Sequence, residues 1–153
     1  MNWLIRSTKY MLNHTYLDAI VEPIKDEIDN YNWLICDIEI HSAVDVREVI
    51  DVEADYFILS PAEFRKLLDK HVQLRWAVVL AIPINTTINV GEHKLPYIDG
   101  NALIWKNGNL QLPDAEIEID CFDSTCTIIK FTDQQLSNRF KTYFGNNAEQ
   151  LVC

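Results

Sequence analysis

The stretch EIEIDCFDSTCTIIKF, residues 116–131, decides the fold. In its first part, residues 116–122, acidic and apolar side chains alternate, which is the period of a β-strand with one face on a core. A second strand over residues 125–131 follows after Asp123 and Ser124, which are residue types that form tight turns. The stretch therefore predicts an antiparallel hairpin.

A two-residue turn sets the register of this hairpin. It pairs each acidic side chain with an apolar or hydroxyl side chain across the strands, and it brings two cysteines together. The expected pairs are Glu116 with Phe131, Glu118 with Ile129, Asp120 with Thr127, and Cys121 with Cys126. The two cysteines would lie at a distance compatible with a disulfide, but a reducing cytosol favours free thiols.

Shorter patterns predict the other strands. They lie at residues 3–7, 33–41, 56–59 and 74–82, with a further hairpin over 102–112 that turns at Asn107-Gly108. The strand at 33–41 alternates strictly. One of its predicted faces holds Leu34, Cys36, Ile38 and Ile40, and the other holds Ile35, Asp37, Glu39 and His41.

Helical patterns complete the fold. Apolar residues at helical spacing predict a helix over 14–29, which Pro23 kinks or splits. Capping boxes at 60–63 and 132–135 predict the starts of two more helices, the last of which ends at Gly145. Together these elements predict an α+β domain in which about three helices pack on a mostly antiparallel sheet. Residues 1–153 then form a single domain with a frayed tail from 146.

Composition excludes several classes of function. Lys+Arg 13 against Asp+Glu 23 gives a net charge of −10, which disfavours nucleic acid and anionic membranes as partners. With only four glycines, the chain holds no phosphate loop, dinucleotide fingerprint or G-x-S-x-G elbow. The longest apolar run, residues 76–84, is too short to cross a membrane. Without a recognisable export signal, the protein is expected to be cytoplasmic.

Acidic strand faces are the candidate binding site. Glu116, Glu118 and Asp120 project from one side of the strand in the deciding stretch, and Asp37, Glu39 and His41 project from another strand in the same way. With Phe131 as an apolar anchor, such a face suits a basic protein partner. The alternative interpretation of both faces is that they are the solvated side of a half-covered sheet.

Other chemistry has weaker support in the sequence. Asp37, Glu39 and His41 could approach a metal, but the sequence identifies no further ligands, so neither a metal nor a cofactor is expected. No nucleophile motif accompanies the histidines, and the protein is therefore not expected to be an enzyme. The alternative function is a small-molecule-binding domain or a motif-free hydrolase with a pocket near the loop at 83–100.

Several short segments also carry a family resemblance. YLDAI at 16–20, EPI at 22–24, NWLI at 32–35 and CFDSTCT at 121–127 resemble a family of small uncharacterised bacterial proteins. More loosely, the whole chain resembles the acidic immunity proteins of bacterial polymorphic toxin systems. That resemblance implies a cytosolic, single-domain, non-catalytic protein that blocks a toxin domain, often a basic nuclease. It assigns no functional residues.

Overall fold

The computed structural model describes residues 2–6, 14–40, 45–92 and 94–152. Within these ranges the strands form one seven-stranded sheet in the order β3-β2-β4-β5-β6-β1-β7, and every adjacent pair is antiparallel. The strands are β1 (Trp3–Arg6), β2 (Tyr31–Ile40), β3 (Tyr56–Leu59), β4 (Leu74–Pro83), β5 (Ile117–Phe122), β6 (Cys126–Phe131) and β7 (Ala148–Gln150). The α+β class predicted from the sequence is confirmed.

Three α-helices accompany the sheet: α1 (Leu17–Val21), α2 (Pro61–Asp69) and α3 (Gln134–Phe144). Local chemistry fixes their ends. At the start of α2 the Ser60 hydroxyl accepts from the Glu63 N–H, and the Glu63 carboxylate accepts from the Ser60 N–H, which is the predicted capping box. The cap of α3 is Asp133, one residue later than the predicted start, and Gly145 ends the helix with a φ of 55°.

The helix predicted over 14–29 is split, as Pro23 requires. Leu17–Val21 is α-helical, and the chain continues as a 3₁₀ helix over Glu22–Asn30. Ile24, the residue after Pro23, has the non-helical angles φ −120° and ψ 16°. Proline lacks the N–H that an α-helix would use at this point, so the α-helix ends before Pro23 and the chain kinks at Ile24.

The sheet carries a hydrophobic core on each face. On the first face the helices cover residues such as Trp33 and Ile119, and Phe64 of α2 stacks on Trp33 with ring centroids 4.0 Å apart. On the second face the connection at 84–115 covers the sheet by placing Val90, Ile98 and Ile104 over it. Because both faces are covered, neither face of the central strands is exposed to water.

This covering connection does not form the hairpin predicted over 102–112. Ala102–Trp105 is a 3₁₀ helix whose Ile104 is buried in the second core. Gly108 does adopt the positive φ of the expected turn, at 78°, but no strands flank it. At the other end of the chain, Ala148–Gln150 pairs with β1 instead of fraying.

β2 does not alternate along its whole length. A register shift follows Cys36, where Asp37 has a φ of 52°. Before this bulge Leu34 and Cys36 lie in the second core, whereas Ile38 and Ile40 after it pack on the first. The prediction that all four side chains share one face is therefore wrong, because an inserted residue moves the following side chains to the opposite face.

The hairpin of β5 and β6 exists, but its predicted register is wrong by one residue. Phe122 pairs with Cys126 across a three-residue turn at 123–125, in which Asp123 and Ser124 have positive φ. Glu118 consequently lies opposite Lys130. Cys121 belongs to the first core and Cys126 to the second, so the two thiols are free and lie on opposite faces of the sheet.

Candidate protein-binding surface

The carboxylates of β5 are not on the surface. Glu118, Asp120 and Lys130 all have 0% of their side-chain area exposed. The Lys130 ammonium lies 3.1 Å from Glu118 Oε1 and 3.4 Å from Asp120 Oδ2. The expectation that Glu118 and Asp120 form an exposed binding face is therefore wrong, because the covering connection lies over this part of the sheet.

These three groups, the buried charge cluster, fasten the covering connection to the sheet. The Lys130 ammonium donates to the Asn109 carbonyl at 2.8 Å, and the Gln111 N–H donates to Glu118 Oε2. Burial raises the pKa of Asp120 well above its ordinary value, and the negative charge of Glu118 raises it further. One lysine thus faces two carboxyl groups, and burial favours the protonated form of Asp120. The cluster has a structural role.

The remaining predicted contacts of this hairpin also point inward. Phe131 is buried in the first core, where its ring centroid lies 5.6 Å from that of Phe140. Glu116 is half-buried and accepts a hydrogen bond of 3.0 Å from the Tyr31 hydroxyl. The expected pairing of Phe131 with Glu116 is replaced by Phe131 with Ile117, in line with the one-residue change of register. Phe131 cannot serve as an exposed anchor.

The carboxylates of β2, in contrast, are exposed as expected. Asp37 Oδ2 accepts a 2.9 Å hydrogen bond from the Ile98 N–H, which ties the bulge to the covering connection. Glu39 accepts from the Arg75 guanidinium at 3.2 Å, and the same guanidinium donates to Asp123 at 3.1 Å. His41, the third predicted member of this face, lies outside the described residues.

A shallow groove joins the two β2 carboxylates to other parts of the chain. Its volume is about 390 Å³, and it is lined by Asp37, Ile38, Glu39, Trp76 and Asp99. The indole of Trp76 is half-buried against Phe122, with ring centroids 5.1 Å apart. The groove therefore combines an aromatic wall with three carboxylates, of which Asp99 was not a predicted site residue.

The segment at 45–55 adds more negative charge at this end of the sheet. Residues 37–55 hold seven acidic residues and one basic residue, Arg47, so their formal charge is −6. Tyr56 pairs with Cys36, which places Asp55 and Asp37 next to the same pair. In the sequence, the D-x-E-x-D spacing of residues 51–55 is the pattern that indicates this concentration of negative charge. We call this surface the acidic end; it comprises Asp37, Glu39, Asp51, Glu53, Asp55 and Asp99.

Most carboxylates of the acidic end lack a cation. Across the described ranges, no lysine or arginine lies within 4.0 Å of Asp37, Asp51, Glu53, Asp55 or Asp99, and only Glu39 has an ion pair, with Arg75. The two other acids of the 45–55 segment are paired, Asp45 with Arg47 and Glu48 with Lys70. The negative charge that remains is thus concentrated on exposed, uncompensated groups.

Two other grooves bear on the alternative function. One, of about 380 Å³, lies beside the 83–100 loop, but its amides bond to each other: Gln111 Oε1 accepts from Asn101 Nδ2 at 3.0 Å. The other lies in the helical layer, where His71 Nδ1 is 2.7 Å from Asp18 Oδ2. No serine, threonine or cysteine is among the described residues that line this second groove. A histidine–carboxylate pair is present there without a neighbouring nucleophile.

The chain has no match among known proteins from which a function could be inferred: neither models of protein families, nor curated proteins, nor solved structures match it. Within the described ranges, no group of three or more His, Cys, Asp or Glu side chains is placed to hold a metal. None of the helices described is long and apolar enough to span a membrane.

Proposed function

We propose that the protein is a non-catalytic, acidic protein-binding module, an immunity-type inhibitor that covers a basic toxin or nuclease domain with its acidic end. The observation that carries the proposal is a set of exposed carboxylates beside which the described ranges place no lysine or arginine: Asp37, Asp51, Glu53, Asp55 and Asp99. Uncompensated negative charge attracts a basic partner over a distance and speeds association. The aromatic wall of the groove, Trp76, supplies the apolar contact that interfaces favour.

The acidic residues of the helical layer differ from those of the acidic end because they are paired with cations. Each carboxylate of the 3₁₀ helix Glu22–Asn30 has a cation of the same chain beside it. The pairs are Glu22 with Lys25, Asp26 and Glu27 with Arg139, and Asp29 with Arg65. Charge that is neutralised within the molecule contributes little to the attraction of a partner. The acidic end is therefore the better candidate for the binding surface.

The test is affinity capture from a lysate of the source organism at low and high salt, with the bound proteins identified by mass spectrometry. The wild type is expected to retain a basic protein at low salt and to release it at high salt, because salt screens exposed charges. A variant carrying Glu53→Lys and Asp55→Lys should lose this protein. Both positions are exposed and are paired with no cation among the described residues, so the fold should tolerate the change.

A matched variant controls for net charge. Asp69→Lys with Asp114→Lys alters the charge by the same amount at two exposed positions outside the acidic end, and neither aspartate has an ion pair within the described ranges. Retention by this control and loss by the first variant would support the proposal. Equal capture by both variants would contradict it, as would a captured protein that is acidic or insensitive to salt.

A further inference from the structure

β3 lies at the end of the seven-stranded sheet. It pairs with β2 on one side, and on its other side no strand of the described ranges pairs with it. Such an edge presents backbone N–H and C=O groups at every second residue without a partner in the sheet. β7 forms the opposite edge, but it is only 3 residues long and two of its residues, Glu149 and Gln150, are polar.

The side chains of β3 make this edge unusual. Phe57 and Leu59 pack on the first core, so Tyr56 and Ile58 lie on the second face of the sheet. These two side chains are open to solvent, since Tyr56 is 41% and Ile58 is 42% exposed. An edge with an exposed apolar row can take up an additional strand, which is a common way in which sheets bind extended peptides.

Charge decides what such a strand would be. Asp51, Glu53 and Asp55 lead directly into β3 and are exposed. A second copy of this chain carries the same net charge of −10, and repulsion between like charges opposes pairing. An extended segment that alternates basic and apolar residues would instead meet carboxylates with its cations and Tyr56 and Ile58 with its apolar side chains.

We propose that an extended basic segment of the partner binds to the outer edge of β3 as an eighth strand. This inference rests on the proposed function, because it assigns the partner's mode of contact at the acidic end. It adds a requirement that charge alone lacks: the partner's backbone must be free to hydrogen-bond with β3.

The experiment uses the full chain and the peptide acetyl-KVKVKVK-amide, followed by amide chemical shifts and hydrogen exchange. Binding should slow exchange at alternate amides of β3 and move the resonances of residues 51–58. Two further peptides carry N-methyl groups on all the valines or on all the lysines. One of them should bind at least about tenfold more weakly, since it loses two or more backbone hydrogen bonds while its charge is unchanged.

A pair of variants locates the site. Ile58→Lys should weaken binding of the peptide by at least about tenfold, because it places a cation in the apolar row and against the peptide's own charge. Ile84→Lys adds the same charge at a position that is 50% exposed and outside β3, and it should bind like the wild type.

If both N-methylated peptides bound as tightly as the unmodified peptide and the β3 amides stayed unprotected, strand addition would be overturned. The acidic end would then be a binding surface that acts through charge alone. The proposed function is judged separately, by whether the Glu53→Lys, Asp55→Lys variant loses the captured protein. A failure of the edge and a failure of the function are thus distinguishable.

Discussion

Two cations of this protein, Arg75 and Lys130, each lie between a pair of carboxyl groups, and the surroundings of the two sites differ. Arg75 is hydrogen-bonded to Glu39 and Asp123 at the surface, where 45% of its side chain is exposed. Lys130 lies between Glu118 and Asp120 with 0% exposed. Glu39, Glu118 and Asp120 come from alternating patterns that look alike in the sequence, whereas Asp123 lies in a turn.

The difference comes from the covering connection at 84–115. Where it lies over the sheet, carboxylates can no longer exchange their partners for water, and each must be matched by a cation, a proton or a backbone donor. Asp37 and Glu39 are bonded to the Ile98 N–H and to Arg75, but their side chains lie at the surface, where water solvates the carboxylates and a partner can reach them. The same residue pattern thus forms a buried, stabilising cluster in β5 and an exposed surface in β2.

Replacing Lys130 should produce the largest effect. Lys130→Met removes the only cation that the described residues place beside Glu118 and Asp120, and it leaves a buried carboxylate without compensation. We expect the free energy of unfolding to fall by about 3–5 kcal/mol, measured by urea denaturation. The double variant Lys130→Met, Glu118→Gln should recover part of this loss because the buried anion is gone. A single variant as stable as the wild type would show that the cluster is hydrated.

A smaller effect, which depends on pH, is expected at Asp120. Because its pKa is raised in the fold, the folded protein holds a proton that the unfolded chain has already lost above pH about 4. Stability should therefore fall as pH rises through this window, by at most about 1.4 kcal/mol per pH unit. Asp120→Asn should lack this decline, so its stability relative to the wild type should increase with pH.

The control for this prediction is Asp55→Asn, which makes the same substitution at an exposed position. Urea denaturation of both variants between pH about 5 and about 8 makes the comparison. A parallel decline in the wild type and in Asp120→Asn would mean that another group titrates.

Arg75 should show the smallest effect on stability. Arg75→Met removes a cation from between two carboxylates as Lys130→Met does, but water solvates Glu39 and Asp123 once the ion pairs are gone. The urea midpoint is expected to stay close to that of the wild type, and any difference should shrink as salt is added. A loss comparable to that of Lys130→Met would contradict the contrast between the two sites.

Local chemistry was read correctly from the sequence at several places. Ser60 and Glu63 form their capping box, and Pro23 splits its helix, because each effect needs only neighbouring residues. The hairpin predicted at 102–112 was not found. β4 and β6 already occupy both sides of β5, and the Asn107-Gly108 turn lies in a segment that packs on a face of the sheet instead.

The candidate site was predicted only in part. Asp37 and Glu39 are exposed as expected, whereas Glu118, Asp120 and Phe131 are buried. Alternation states which side chains share a face of a strand, but whether that face meets water depends on residues far away in the chain. Asp99 and Asp37 line the same groove although they are far apart in the sequence, and a local sequence pattern cannot predict such a contact.

The sequence by itself determined the α+β class, the capping box that starts α2 and the excess of negative charge, since these follow from composition and from contacts between near neighbours. Tertiary structure alone decided the register of β5 with β6. The turn has three residues instead of two, so the pairing is shifted by one residue and Lys130 lies opposite Glu118. It also decided which acids are covered, because the 84–115 connection packs over Glu118 and Asp120 and leaves Asp37, Glu39 and Asp55 exposed. Burial of the one set and exposure of the other follow from that packing.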